Sequence, residues 1–202
     1  MEALRAQRVL LVQPRPDVSL KMNANVGEVT LQEAVYQPIL DLLADHKPKS
    51  LGQIEQALKE AGVNFGQIQQ AVMVLSATGA IQAVQDDAVI AKAKKTCERI
   101  NNHLILKARA SNELGYLASP VTGGGVSVPR FQQLFLLAKQ QGHKQPADWA
   151  QFVWTILSAQ GQLLVKEGKA LESAEDNLAE LTAQAQTFAD KQLPILKALQ
   201  IS

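Results

Sequence analysis

Three consecutive glycines, Gly123, Gly124 and Gly125, form the segment of this chain most suggestive of chemistry. Glycine-rich loops bind phosphate groups because their backbone N–H groups can approach an anion without obstruction from a side chain. Arg130 follows shortly afterwards, and an enzyme of unrecognised type centred on the glycines and Arg130 is one interpretation of the segment. We therefore take Gly123, Gly124, Gly125 and Arg130 as the candidate interaction or structural loop of the chain.

The residues around the glycines argue against a nucleotide cradle. A P-loop requires Gly-Lys-Ser or Gly-Lys-Thr, whereas Gly125 is followed by Val126 and Ser127. A dinucleotide-binding loop connects a strand directly to a helix, but residues 117–119 and 126–128 both have the composition of extended segments. We therefore expect a hairpin turn before a helix that begins at Pro129, and no cofactor-binding residue in this segment.

The other reactive side chains have no catalytic or metal-binding spacing. Cys97 is the single cysteine, and His103 lies six residues further along the same predicted helix, on a different side. Cys97 falls on the apolar side of that helix, so we expect a buried structural cysteine. His46 and His143 are far from His103 and from each other in sequence. The sequence thus predicts no catalytic residue and no metal ligand.

Composition narrows the classes of partner. The net charge of +1 gives the 202-residue chain no overall field that would attract nucleic acid or an anionic membrane. No apolar run approaches the roughly 20 residues that a membrane-spanning helix needs, and the N-terminus has no signal-peptide pattern. We expect a cytoplasmic protein without a membrane partner.

Hydrophobic periodicity predicts a mainly α protein with small β elements. Residues 28–111 are expected to form a winged-helix-like domain: three short helices, a strand at 80–84 with residues 88–90 pairing back, and a long helix over 89–110. Residues 112–202 are expected to form a helical C-terminal region that contains the Gly-rich hairpin.

Residues 1–27 are expected to be the end of a preceding domain and a linker. Residues 8–12 have the composition of a buried strand, but no nearby segment could pair with it. Either a preceding region supplies the partner, or the partner lies far along the chain. Residues 17–27 are polar and irregular, which is typical of a linker.

The predicted long helix has an apolar stripe and a group of cations. Lys92, Lys95 and Arg99 share one face and could bind an acidic partner or nucleic acid, but Glu98 interrupts the group. A solvated helix face is therefore the preferred interpretation. The third helix of the winged-helix-like domain has no Lys or Arg, since none occurs between Lys59 and Lys92, and this argues against DNA binding there. The apolar stripe consists of Ala93, Cys97, Ile100, Leu104 and Ala108.

Three segments resemble the C-terminal part of bacterial class I S-adenosylmethionine-dependent methyltransferases that carry a methyltransferase regulatory domain. The chain is in this respect similar to the protein-lysine methyltransferases of rickettsiae. The resemblance rests on Glu113-Leu-Gly-Tyr-Leu-Ala-Ser-Pro-Val-x-Gly-Gly-Gly-Val126 with Gln133-Leu-Phe-Leu-Leu-Ala138, on Ala159-Gln-Gly-Gln162, and on Asn177-Leu-Ala-Glu-Leu181 with Leu193-Pro-Ile-Leu-Lys-Ala-Leu199.

The resemblance implies a parent protein with an N-terminal Rossmann-like catalytic domain, which binds S-adenosylmethionine, a regulatory middle domain and a C-terminal winged-helix region. This chain contains no acidic-x-Gly-x-Gly-x-Gly loop, so the cofactor residues of the family have no counterparts here. The implied function is that of a non-catalytic C-terminal fragment, a regulatory or substrate-positioning module of a protein lysine methyltransferase. Its implied partners are the catalytic domain and the protein substrate. The alternative is a winged-helix module that binds nucleic acid or regulates transcription.

Overall fold

The computed structural model describes residues 1–24 and 27–201. The fold is mainly α with small β elements, and consists of a winged-helix-like three-helix unit followed by a helical C-terminal region. Two compact units are present: residues 1–90 with 121–123, and residues 91–120 with 124–202. The division falls at residue 90, whereas the sequence suggested boundaries at 27 and 111.

The first unit combines three core helices with short strands and an N-terminal helix. Its elements are α1 (Glu2–Ala6), β1 (Arg8–Leu11), a 3-10 turn (Arg15–Asp17), β2 (Lys21–Ala24), β3 (Gly27–Thr30), α2 (Glu33–Leu43), β4 (Lys49–Ser50), α3 (Leu51–Ala57), α4 (Phe65–Ala77), β5 (Ile81–Ala83) and the first residues of α5 (Asp87–Lys107).

The central strand of the small sheet comes from the beginning of the chain. β1 pairs antiparallel with β4 on one side and with β5 on the other, with Val9 opposite both Lys49 and Ala83. The partner of β1 is therefore distant in sequence, the second of the two predicted possibilities. Residues 88–90 lie in α5, so the prediction that they pair back onto β5 is wrong. β1 occupies the position that a returning strand would have taken.

Local sequence signals place the three helices of this unit. Ser50 forms a capping box with Gln53 at the start of α3, and Asn64 forms another with Gln67 at the start of α4. Pro38 lies inside α2. The apolar faces of these helices pack on β1 and β5 around a fully buried core that includes Leu11, Ile39, Leu40, Leu43, Ile54, Ile68, Leu75 and Ile81.

The segment predicted to be an irregular linker, residues 17–27, has more structure than its composition indicated. β2 and β3 form an antiparallel hairpin in which Lys21 lies opposite Thr30. Val18 and Leu31, on either side of this hairpin, are buried in the core of the first unit. The linker prediction is wrong for these described residues, and its residues 25 and 26 lie outside the described part.

Arg5 of the N-terminal helix contacts two other helices of the first unit. The Arg5 guanidinium donates hydrogen bonds to both oxygens of the Glu55 carboxylate, at 2.6 and 2.9 Å. The same guanidinium lies over the ring of Phe65, 4.3 Å from its centre. Arg5 thus connects α1 to α3 and to the first residue of α4.

The second unit is a helical assembly with two small hairpins. It contains the remainder of α5, β6 (Tyr116–Ser119), β7 (Gly124–Ser127), α6 (Arg130–Gln140), α7 (Pro146–Ala159), β8 (Val165–Lys166), β9 (Lys169–Ala170), α8 (Ala174–Thr187), a π-helical segment (Phe188–Gln192) and α9 (Leu193–Ala198). Within it α6, α7 and α8 pack in sequence, and the rings of Phe135, Trp149 and Phe188 meet in the core. In the described part of the chain, no helix has the length and apolar character needed to span a lipid bilayer.

The central position of β1 predicts a large loss of stability on truncation of Leu11. This side chain is fully buried among the three helices. We expect Leu11→Ala to lower the free energy of unfolding by about 2–5 kcal/mol, because a buried leucine leaves a cavity when it is truncated. Urea unfolding followed by circular dichroism measures the change. Met73→Ala, at a side chain that is 66% exposed, is the matched control and should cost less than about 0.5 kcal/mol. Equal effects of the two variants would contradict a central role for β1.

The Arg5–Glu55 pair predicts a specific dependence of stability on pH. The hydrogen bond from Arg5 holds the pKa of Glu55 below its ordinary value of 4.5. A carboxylate with a lowered pKa in the folded state stabilises that state above its unfolded pKa, and the contribution disappears as the pH falls. We expect Glu55→Gln to lower Tm at neutral pH, and its difference from the unmodified chain to shrink below about pH 4.5. Thermal unfolding across this pH range tests it, with the exposed Glu60→Gln as control; a difference independent of pH would contradict it.

Candidate functional site

The glycine segment is the end of a β-hairpin, as the sequence predicted. β6 and β7 pair antiparallel, with Leu117 opposite Val126 and Ser119 opposite Gly124. Gly124 and Gly125 lie within β7, and Gly123 lies in the turn with a φ of +72°. Because two of the three glycines belong to a strand ladder, their backbone N–H groups do not converge on one point as they would in a phosphate loop.

Two buried polar side chains attach this hairpin to helices of the second unit. The Asn101 amide of α5 donates to the carbonyl of Ala118 at 2.8 Å, and the Ala118 N–H donates to its Oδ1 at 2.7 Å. The Ser119 hydroxyl donates to the carbonyl of Leu199 at 2.9 Å. The hairpin is therefore held by hydrogen bonds to α5 and to the end of α9.

A third buried side chain, Gln133 of α6, closes the two ends of the hairpin. Its Nε2 donates to the carbonyls of Leu114, at 2.6 Å, and Val128, at 2.8 Å. These carbonyls lie just before β6 and just after β7. The Oε1 of Gln133 is buried and has no hydrogen-bond partner in the described part of the chain. This side chain has a structural function, since both of its N–H groups bind backbone.

The guanidinium of Arg130 also donates its hydrogen bonds to acceptors within the protein. Its Nε donates to the carbonyl of Ala108 at 2.8 Å, and one terminal nitrogen donates to the carbonyl of Arg109 at 3.1 Å. The remaining contacts are to the side-chain carbonyls of Gln160, at 3.2 Å, and Gln162, at 2.8 Å. A guanidinium near the C-terminal end of a helix interacts favourably with its free carbonyls. Arg130 connects the end of α5 with the segment after α7, which leaves little of its donor capacity for an anion.

The remaining candidates are dispersed. Cys97 is half-buried, so the prediction of a buried cysteine is wrong. The Nδ1 of His46 lies 3.0 Å from the carbonyl oxygen of Leu11, His143 packs on the ring of Phe152, and His103 is exposed. Among the described residues, no three His, Cys, Asp or Glu side chains are grouped as metal ligands would be.

A hollow of about 350 Å³ between α6 and α8, in the second unit, was not predicted from the sequence. Phe131, Phe135 and Phe188 contribute to its wall, and Glu180 lies at its edge. The Lys166 ammonium lies 2.8 Å from the Glu180 carboxylate and lowers the pKa of that carboxyl, with a smaller contribution from Gln184. The Glu180 carboxylate is therefore ion-paired within the chain itself. The apolar periodicity of α6 and α8 predicts such faces, but not that a gap remains between them.

Adjacent glycines of the hairpin should respond differently to the same substitution. Gly123 has the left-handed backbone conformation, in which a Cβ costs about 1–2 kcal/mol. A Cβ at Gly124 would meet no atom within 4 Å, and alanine restricts the unfolded chain. We expect Gly123→Ala to lower the free energy of unfolding by about 1–2 kcal/mol, and Gly124→Ala to leave it nearly unchanged or raise it slightly. Chemical denaturation measures both, and equal losses would contradict the hairpin geometry.

Comparison with known proteins gives one similarity over the whole chain. No family model matches the chain, and no solved structure matches it. A Synechocystis sp. protein with the name "Uncharacterized protein sll1526" is 36% identical to it over 202 residues. These residues are 100% of this chain but only 39% of that relative. The chain is thus similar throughout its length to part of a considerably longer protein.

Proposed function

We propose that this chain is a non-catalytic regulatory or substrate-positioning module of an S-adenosylmethionine-dependent protein lysine methyltransferase. The catalytic domain of that enzyme and its protein substrate are the proposed partners, and S-adenosylmethionine is proposed to bind outside this chain. The proposal begins from the resemblance of residues 113–138, 159–162 and 177–199 to the C-terminal part of that family.

The observation that carries the proposal is the contrast between the glycine segment and a cofactor loop. The segment is a hairpin whose glycines lie in a strand and a turn, and the nearby guanidinium of Arg130 is occupied by backbone and amide oxygens. A methyltransferase must hold its cofactor against the accepting nitrogen. A module whose glycine segment forms a hairpin, and not such a binding loop, is suited to packing and positioning.

The residues that carry the resemblance also hold the second unit together. Gln133 closes the hairpin, and Gln160 and Gln162 bind Arg130. The buried amide of Asn177 accepts from the Leu164 N–H and donates to two carbonyls near the start of α8. A resemblance at residues with structural hydrogen bonds supports a shared fold more strongly than similarity of an isolated loop would.

The longer relative and the charge of the first unit add support. The chain spans 39% of the Synechocystis protein, whose remainder has room for a separate catalytic domain. In the first unit, α4 has the place of a recognition helix but carries no Lys or Arg. Helices that bind DNA need cations to neutralise phosphates, so this unit is better suited to protein contacts than to nucleic acid.

The experiment compares the whole Synechocystis relative with a form lacking the region similar to this chain. We expect the shortened form to bind S-adenosylmethionine within about threefold of the whole protein, while methyl transfer to protein lysine changes at least about tenfold. Calorimetry measures the first quantity and transfer of labelled methyl groups the second. Such a division separates a positioning or regulatory region from a cofactor site.

Three results would overturn the proposal. They are failure of the whole relative to bind S-adenosylmethionine, loss of cofactor binding together with the deleted region, and tight binding of S-adenosylmethionine by this chain alone. Salt-sensitive binding of duplex DNA by this chain in a gel-shift assay would instead favour the winged-helix nucleic-acid module.

A further inference from the structure

The outward side of α5 carries a continuous row of polar and basic residues. Lys92, Thr96, Arg99, His103 and Lys107 follow one another at spacings of three or four residues, which places them on one face of a helix. All are exposed. We name this row, together with the exposed Ile100 and Leu106 on either side of it, the outer face of α5.

Positive charge is concentrated in residues 92–109, which include the outer face of α5. Residues 92–109 contain six Lys or Arg residues and the single acidic residue Glu98, which is a net charge of +5. The other residues of the chain together contain fourteen Lys or Arg and eighteen Asp or Glu, a net charge of −4. The overall charge of +1 therefore conceals a strongly basic segment, residues 92–109, in an otherwise acidic protein.

The cations of the outer face have no acidic partners within the described residues. None of Lys92, Arg99 and Lys107 takes part in a salt bridge there, whereas Arg5, Arg8, Arg15, Lys21, Lys49 and Lys166 each do. Glu98 does not lie in the row, since it precedes Arg99 by one residue and follows Lys92 by six, and neither spacing places two residues on one face of a helix. An incoming carboxylate would not have to displace an existing ion pair.

Two large apolar side chains accompany these cations. Ile100 is 45% exposed and Leu106 is 53% exposed. The opposite side of the helix is held in the second unit by the buried Ile105 and by the hydrogen bonds of Asn101. The predicted apolar stripe thus corresponds only in part to the buried face: Ala93, Cys97 and Leu104 are half-buried, and Ile100 is exposed.

We propose that the outer face of α5 binds an acidic amphipathic segment of another polypeptide, in which apolar side chains are flanked by Asp or Glu. Apolar anchors would contact Ile100 and Leu106, and the carboxylates would pair with Lys92, Arg99 and Lys107. A second copy of α5 brings the same cations and is repelled. A phosphate backbone satisfies the cations but leaves both apolar side chains without a partner.

This proposal does not depend on the methyltransferase proposal. It concerns a surface of the second unit, and it holds or fails whether or not the longer protein binds S-adenosylmethionine. The experiment therefore uses the present chain and measures peptide binding alone.

The test begins with selection from a display library of helical peptides of about 18 residues, long enough to cover the row. The unmodified chain is the target. We expect the recovered peptides to be enriched in Asp and Glu beside a Leu, Ile or Phe stripe. The tightest of them is then synthesised with a fluorescent label, and its affinity is measured by anisotropy at low and at physiological salt.

Two triple variants with the same change of charge provide the comparison. Lys92→Glu/Arg99→Glu/Lys107→Glu should weaken binding of the peptide at least about thirtyfold. Lys59→Glu/Lys144→Glu/Lys169→Glu, at exposed lysines elsewhere, should weaken it less than about threefold. Ile100→Ser/Leu106→Ser tests the apolar part and should weaken binding about tenfold. Circular dichroism verifies that each variant is folded.

Several outcomes would overturn the proposal. One is recovery of peptides without acidic enrichment, and another is equal weakening by the two charge variants. A third is tighter binding of duplex DNA, or of vesicles containing anionic lipid, than of the peptide through the same residues. Formation of dimers by the unmodified chain that the α5 variant abolishes would assign the face to a second copy instead.

Discussion

The second unit depends on amide and hydroxyl side chains that form hydrogen bonds with buried backbone groups. A two-stranded hairpin leaves outward N–H and C=O groups without partners when helices cover it. In the described part of the chain four polar residues are buried, Asn101, Ser119, Gln133 and Asn177, and each binds backbone of a short or irregular segment. Removal of one such amide leaves buried carbonyl or N–H groups without a hydrogen-bond partner. Each such group lowers the free energy of unfolding by about 1–3 kcal/mol.

Signals that act over three or four residues allowed much of the fold to be predicted. Ser50 and Asn64 form capping boxes at the starts of α3 and α4, and Ser173 caps α8. The position of β1 could not be predicted to the same degree, because its partners are set by packing of the first unit and not by neighbouring residues. The same reason explains β2 and β3, because their polar composition does not indicate that Met22 of β2 and the neighbouring Val18 and Leu31 pack in or against the core of the first unit.

In the candidate loop, too, the features set by neighbouring residues could be predicted and those set by distant residues could not. The extended residues on either side of Gly123 predicted the hairpin, since two short strands and a turn are local features. The function of Arg130 could not be predicted, because its acceptors are carbonyls at the end of α5 and amides after α7. A cationic side chain near glycines is an anion site only if its donors are free, and that depends on chain geometry which no spacing rule contains.

The buried amide of Asn101 belongs to α5, the helix that carries the outward-facing cations. Lys92 with Lys95, and Lys95 with Arg99, are like charges at spacings of three and four residues, and such pairs destabilise an isolated helix by a few tenths of a kcal/mol each. α5 is formed nevertheless, because Ile105 and Asn101 fasten its other side to the second unit. The two hydrogen bonds between Asn101 and Ala118 also set the rotation of the helix about its axis. The interaction that holds the glycine hairpin therefore also determines that Arg99 and Lys107 point outward, where an acidic segment can reach them.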